Sequence, residues 1–190
     1  MVEHAANRYA ARLLCLGNDL LADDALGIRV AEELQGCLPQ NVDVVASAES
    51  GLQLLDHLLG ASRVVVIDTV QTGRADPGTI HELTEASFSP QLGASSHRLG
   101  LFDVLAVGRR MGMPVAETVT ILAVEAADCR TLGGEMHPAV RDAIPRVIER
   151  ALECLGIADA GVPQASSSSA SYEYMAHGAD GGPLAGRVPR

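Results

Sequence analysis

Asp24, Asp68 and His97 are the residues of this 190-residue chain whose types and placement could do chemistry. Asp24 is the last acid of LLCLGNDLLADDALG (residues 13–27), an apolar run that breaks at Gly17-Asn18 and then sets Asp23 and Asp24 at the mouth of a helical pattern. Asp68 closes the β-branched run VVVI within RVVVIDTV (residues 63–70), and His97 ends the polar stretch SFSPQLGASSH. Two carboxylates and an imidazole make an O,O,N donor set. Such a set suits a borderline divalent ion such as nickel, zinc or iron better than calcium, which wants many oxygens. The same trio could instead transfer protons. Each residue also has an ordinary role open to it: Asp23 or Asp24 as a helix cap, Asp68 as an acceptor for loop N–H groups, His97 as a surface residue. Their conjunction points to a site.

That conjunction requires elements that bring the three to one edge. In an open α/β sheet, ligands bind outside the carboxyl ends of the strands, so polar residues directly after strands matter most. Strands are expected at 12–16, a short apolar run ended by Gly17-Asn18, and at 42–45, 63–70, 79–83 and 118–126, with the run 63–70 β-branched and unbroken. Helices are expected at 25–38, 51–59, 99–111 and 138–155. In the first of these, Leu26, Val30 and Leu34 recur every four positions until Pro39, and in the last, Pro138 suits the first turn. Strands alternating with helices predict an α/β fold: one three-layer domain with a twisted, mostly parallel sheet of about five strands and helices on both faces. The domain is expected over residues 12–157, after an N-terminal extension of residues 1–11. The stretch 158–190, rich in Ser, Gly, Ala and Pro and without period, is expected to be a disordered tail.

Composition narrows the function. With 47% hydrophobic residues the chain can bury one core, and with 3% aromatics and no Trp that core must be aliphatic. A net charge of -10 opposes nucleic-acid binding, which gains affinity from Lys and Arg against phosphates. Cys15, Cys37, Cys129 and Cys154 form no C-x-x-C pair and read as reduced thiols. No signal peptide or membrane-length apolar run is present, so a cytoplasmic protein without membrane insertion is expected, and a monomer.

Other signals carry less. Gly17-Asn18 could offer N–H groups to an anion, but G-x-G-x-x-G and G-K-[ST] are both missing, and a tight turn is the plainer role. Ser95, Ser96 and His97 lack a G-x-S-x-G elbow, which argues against a serine hydrolase. Cys15 reads as a small core residue. His57, His81 and His137 have no acidic partner at telling spacing, and His4 and His177 fall in the two ends.

Three ordered stretches, GNDLLADDALGIRVAEEL, VVVIDTVQTGRADPGTI and SSHRLGLFDVL, resemble the nickel-iron hydrogenase maturation proteases, over residues 12–156. The resemblance implies a single α/β domain. It also implies an endopeptidase that removes the C-terminal peptide of a hydrogenase large-subunit precursor once nickel is inserted. The nickel would arrive with that partner as the recognition signal, and no organic cofactor is implied. The family's metal-binding positions fall on Asp24, Asp68 and His97, which would serve as both metal and catalytic residues.

Two departures stand out. Many members carry G-x-G-N in the first motif, where this chain has Cys15 for the first glycine, and many carry Asp-Gly-Gly-Thr after the second strand, where it has Ala46-Ser47-Ala48-Glu49. Two rival readings are a chaperone that senses nickel on the large subunit without cutting it, and a peptidyl-tRNA hydrolase-like enzyme. The missing basic groove counts against the latter. Within the acidic pair, Asp23 is expected to cap the helix and Asp24 to bind metal.

Overall fold

The period-two alternation of the expected strands sends side chains to both faces of a sheet, and the structure uses both. The computed structural model describes residues 9–87 and 96–157, without the side chains of residues 96–99. The expected tail 158–190 and residues 1–8 of the expected extension lie outside the described residues. The strands are β1 (Tyr9–Leu16), β2 (Val42–Ser47), β3 (Ala61–Val70), β4 (Ile80–Thr84) and β5 (Thr118–Glu125). They form one sheet in the order β2-β1-β3-β5-β4. β2, β1, β3 and β5 are parallel, and β4 runs antiparallel to β5. The α-helices are α1 (Leu26–Leu34), α2 (Leu54–His57), α3 (Ser96–Arg110), α4 (Pro138–Arg141) and α5 (Ile144–Leu155).

Alternate residues of each central strand feed two separate cores. Leu13, Cys15, Val65, Ile67, Leu122 and Val124 meet Leu26, Val30 and Leu34 of α1 and Val147, Ile148 and Ala151 of α5. Leu14, Val64, Val66, Ile121 and Ala123 meet Leu54 of α2 and Leu101, Phe102 and Leu105 of α3 on the opposite face. A sheet covered on both faces needs strands apolar at every position, which is why VVVI reads as a continuous run. Leu26, Val30 and Leu34 are fully buried, and each such side chain contributes about 1.5–3 kcal/mol. Their burial presses α1 onto the sheet and fixes the loop that precedes it. Cys15 lies in this core as expected, and burial pushes its thiol up to about 12.

Several boundaries differ from the sequence expectation. β1 begins at Tyr9, three residues early. α1 stops at Leu34, where the chain turns extended at Gln35 and the Cys37 N–H closes onto the Leu34 carbonyl, well before Pro39. The expected helix 51–59 is a 3₁₀ turn, Gly51–Gln53, followed by the single turn of α2. The closing helix is two, α4 and α5, because Pro145 lacks an N–H and its ring would strike the carbonyl of Arg141 in a continuous helix. Among the described residues, no helix is long and apolar enough to cross a membrane.

Candidate active site

The chain leaves β1 for β2 on one side and enters β3 on the other, so the connections diverge between β1 and β3. A crevice opens at such a switch point, outside the carboxyl ends of the strands. Asp24 follows β1 and Asp68 lies near the end of β3, one on each side of the switch. The turn after β1 is tight because glycines allow backbones to meet. A Cβ on Gly17 would sit 2.1 Å from the Asp24 carbonyl oxygen, and one on Gly27 would sit 2.1 Å from that of Leu16. The Gly17 N–H donates to Ser47 and the Asn18 N–H to the Asp24 carbonyl. Both groups are therefore spent within the fold, which favours the tight turn over an anion site.

The two adjacent aspartates have different fates. Asp23 is fully buried. Its Oδ2 accepts the N–H groups of Ala127 and Asp128, both at 2.8 Å, and its Oδ1 accepts the His137 N–H at 2.6 Å. It makes no cap to the 3₁₀ turn Asp23–Ala25 or to α1, contrary to expectation. Asp23 instead braces the segment after β5 by accepting three of its backbone N–H groups on one buried carboxylate. Asp24 is half-buried, and its Oδ1 accepts the hydroxyl of Thr69 at 2.7 Å.

Thr69 is the residue that both acids share. Its N–H donates to Asp68 Oδ1 at 2.8 Å while its hydroxyl donates to Asp24. Asp68 and Thr69 are 3% and 5% exposed. The Cys129 thiol donates to Thr69 Oγ1 over 3.5 Å, which brings a sulfur beside the pair. Burial pushes the Cys129 thiol up to about 11 against the Thr69 hydrogen bond, and the charges of Asp24, Asp23 and Asp68 add to the rise.

A second polar cluster lies at the end of β5. Glu125 is 1% exposed. It accepts the N–H groups of Thr72 and Gly73 and the Thr72 hydroxyl at 2.7 to 2.9 Å, and pairs with the His81 ring at 3.1 Å. Burial drives the carboxyl up, but the hydrogen bonds from Thr72, Gly73 and His81 together outweigh it and hold Glu125 below the usual glutamate range. The cluster ties the loop after β3 to β5.

His97 reaches this edge by a different route from the one expected. β4 is antiparallel, with Thr84 opposite Thr120 near the start of β5, so a residue directly after β4 would fall on the wrong edge. α3 nevertheless begins at the carboxyl edge: a Cβ on Gly100 would lie 3.7 Å from Gly51 in the turn that follows β2. His97 is therefore in the first turn of a helix and not in a loop. Its side chain lies outside the described residues, as do residues 88–95 of the expected polar loop. Among the described residues, no three His, Cys, Asp or Glu side chains come together as a metal-holding group.

Sequence reasoning passed over Thr69, Cys129 and Glu125. The rule that selected Asp68 would have selected Glu125 and Cys129 had it been applied to the end of β5. His57, His81 and His137 have partners that spacing hides. His57 pairs with Glu49 at 2.7 Å, His81 with Glu125, and the His137 ring accepts the Ala139 N–H at the start of α4.

The fold and these residues can be set beside known proteins. Residues 28–154 match the family model HycI, hydrogenase maturation protease. The chain is 31% identical over 148 residues to the hydrogenase expression/formation protein HupD of Thiocapsa roseopersicina, covering 75% of this chain and 66% of that protein. It is 29% identical over 147 residues to the hydrogenase 2 maturation protease of Escherichia coli K12, covering 74% and 85%. The solved structure of the hydrogenase maturating endopeptidase HybD from Escherichia coli superposes with a TM-score of 0.65 at 28% identity, covering 77% of this chain and 91% of that one.

Proposed function

The chain belongs to the hydrogenase maturation protease family, and from that premise we propose that it is an endopeptidase that removes the C-terminal peptide of a nickel-iron hydrogenase large-subunit precursor after nickel insertion. The observation that carries this reading is the pair Asp24 and Asp68, joined through Thr69 at the β1/β3 switch point. Nickel belongs to the substrate: the precursor brings it, and Asp24, Asp68 and His97 are the residues that recognise it.

The donor chemistry fits that ion. Carboxylate and imidazole ligands suit borderline divalent metals. Asp24 gives one oxygen to Thr69, and its half-buried carboxylate retains acceptor capacity. Substrate-borne nickel supplies Lewis-acid polarisation of the scissile carbonyl. The protein orients that centre: α1 and the Gly17 turn hold Asp24 on one wall, β3 holds Asp68 on the other, and α3 brings in His97. Precursor lacking nickel offers these side chains nothing to bind and is passed over. The protein works as a cytoplasmic monomer on this protein partner.

The test is a cleavage assay on nickel-loaded and nickel-free precursor, with product mass as readout. Cleavage of the loaded form alone is expected. Equal cleavage of both forms would remove the metal-recognition step, and binding of the loaded form without cleavage would make the protein a chaperone. Treating the enzyme with chelator and then removing the chelator before adding substrate should leave activity intact. Lasting inactivation would point to a metal resident in the enzyme.

A further inference from the structure

We propose that Thr69 is the positioning residue of this site, its hydroxyl aiming the Asp24 carboxylate and its backbone amide fixing Asp68, so that a single residue sets the two acids relative to each other. The inference rests on the reading of Asp24 and Asp68 as the working carboxylates and adds a residue to their machinery.

A threonine hydroxyl has one proton to give and lone pairs to receive. Asp24 Oδ1, at 2.7 Å, takes the proton. The Cys129 thiol occupies an accepting direction at 3.5 Å, which leaves the hydroxyl proton no competing orientation toward that sulfur. Burial to 5% exposure removes water as an alternative partner. β-branching restricts rotation about the first side-chain bond, and the position near the end of β3 fixes the backbone, since β3 pairs with β5 through Val70. The Thr69 N–H then meets Asp68 Oδ1 at 2.8 Å. Asp24 and Asp68 come from segments 44 positions apart in the sequence, and Thr69 bonds to both.

A threonine serving only to pack would be replaced without loss by valine, which has the same shape. A positioning threonine would not, because valine leaves Asp24 Oδ1 without its donor and free to rotate. Serine restores the donor while losing the methyl group, so it separates the two roles in the opposite sense.

Thr69→Val and Thr69→Ser should be compared with the wild type in two measurements. The first is kcat/KM for cleavage of nickel-loaded precursor. The second is the ¹³C signal of the Asp24 side-chain carboxyl in the protein alone. Thr69→Val is expected to lower kcat/KM by about 10–100-fold, the usual effect of removing a group that orients a ligand side chain, and to move the Asp24 signal. Thr69→Ser is expected to recover most of the activity and the wild-type signal. Wild-type kcat/KM in Thr69→Val, a serine variant as impaired as the valine variant, or an Asp24 signal unmoved by valine would each overturn the proposal. Thr69→Ala carries the same comparison if Thr69→Val does not fold. Should the wild type fail to cut loaded precursor, the endopeptidase reading falls, and the Asp24 signal by itself decides the positioning role.

Discussion

Asp24 and Glu125 stand at the same edge of the sheet, two strands apart, and the chain uses them in opposite ways. Glu125 is closed off from water, with Thr72, Gly73 and His81 all directed at its two oxygens. Asp24 is half-buried and receives the Thr69 hydroxyl on one oxygen. A carboxylate filled by its own chain is a brace, whereas one held at a single point keeps an affinity to satisfy with something else. Asp23 sides with Glu125 despite lying next to Asp24, because its three amide donors come from the loop after β5. Residue type is the same in the two aspartates, and what separates them is who supplies the donors.

The largest effect should come from breaking the open side of this comparison. Asp24→Asn keeps the shape and an acceptor for Thr69 while removing the charge. Cleavage of loaded precursor should fall by about a thousandfold or more, the scale of losing a preorganised charge-handling group, with the thermal melt unchanged. A variant that still cuts at near wild-type rate would move Asp24 into the brace class.

Asp23→Ala attacks the brace. It removes the carboxylate that accepts the N–H groups of Ala127, Asp128 and His137, and hydrogen bonds to a charged group contribute about 1.5–3 kcal/mol each, so a loss of about 3 kcal/mol or more is expected in denaturant unfolding. A simple helix cap would have cost about 1 kcal/mol. If both aspartate variants fold normally and lose activity alike, the division between them fails.

Glu125→Gln sharpens the same point more gently. Glutamine retains one acceptor oxygen for Thr72 and Gly73 but turns a donor toward the Thr72 hydroxyl, so a loss of about 2 kcal/mol is expected. The pH dependence follows from the lowered carboxyl. The unfolded chain takes up the proton first, so stability is complete above the ordinary glutamate value of about 4.3 and is lost as pH falls from there through the lower folded value. The variant should show a shallower acid limb in melting temperature against pH.

The layout of the sheet was legible because continuous β-branched runs and helical periodicity are local signals. The five strands, the helices on both faces and the position of Asp68 all follow from them. Asp23's role was not legible, since its donors lie 104 to 114 positions away and a cap is the only local use for such a residue. His97 shows how a sound rule can be applied to the wrong strand. The carboxyl-edge argument assumed a parallel β4, and only the start of α3 beside Gly51 returns His97 to the edge. Thr69 was missed because a threonine belongs to no recognised donor set and Cys129 because the carboxyl-edge rule was not carried past the end of β5, and the importance of both lies in contacts between segments.

The smallest effect concerns that Cys129 thiol, which helps orient the Thr69 hydroxyl without touching either acid. A thiol is a weak donor, so Cys129→Ala should lower kcat/KM only about twofold, corresponding to the low end of hydrogen-bond contributions. Its chemistry gives a more sensitive readout. The thiolate is the nucleophile in alkylation, and with the Cys129 thiol pushed up to about 11 by burial it stays protonated near pH 7. Cys37 is exposed on the surface. Iodoacetamide near neutral pH should therefore modify Cys37 and spare Cys129, with Cys129 modification rising only as the pH approaches 11, as followed by peptide mass. Modification of Cys129 at the rate of Cys37 would mean that the thiol is not held as the donor to Thr69. The hydroxyl would then be aimed by Asp24 alone, and the difference between an acid held at one point and an acid held at four would narrow to the single bond between Thr69 and Asp24.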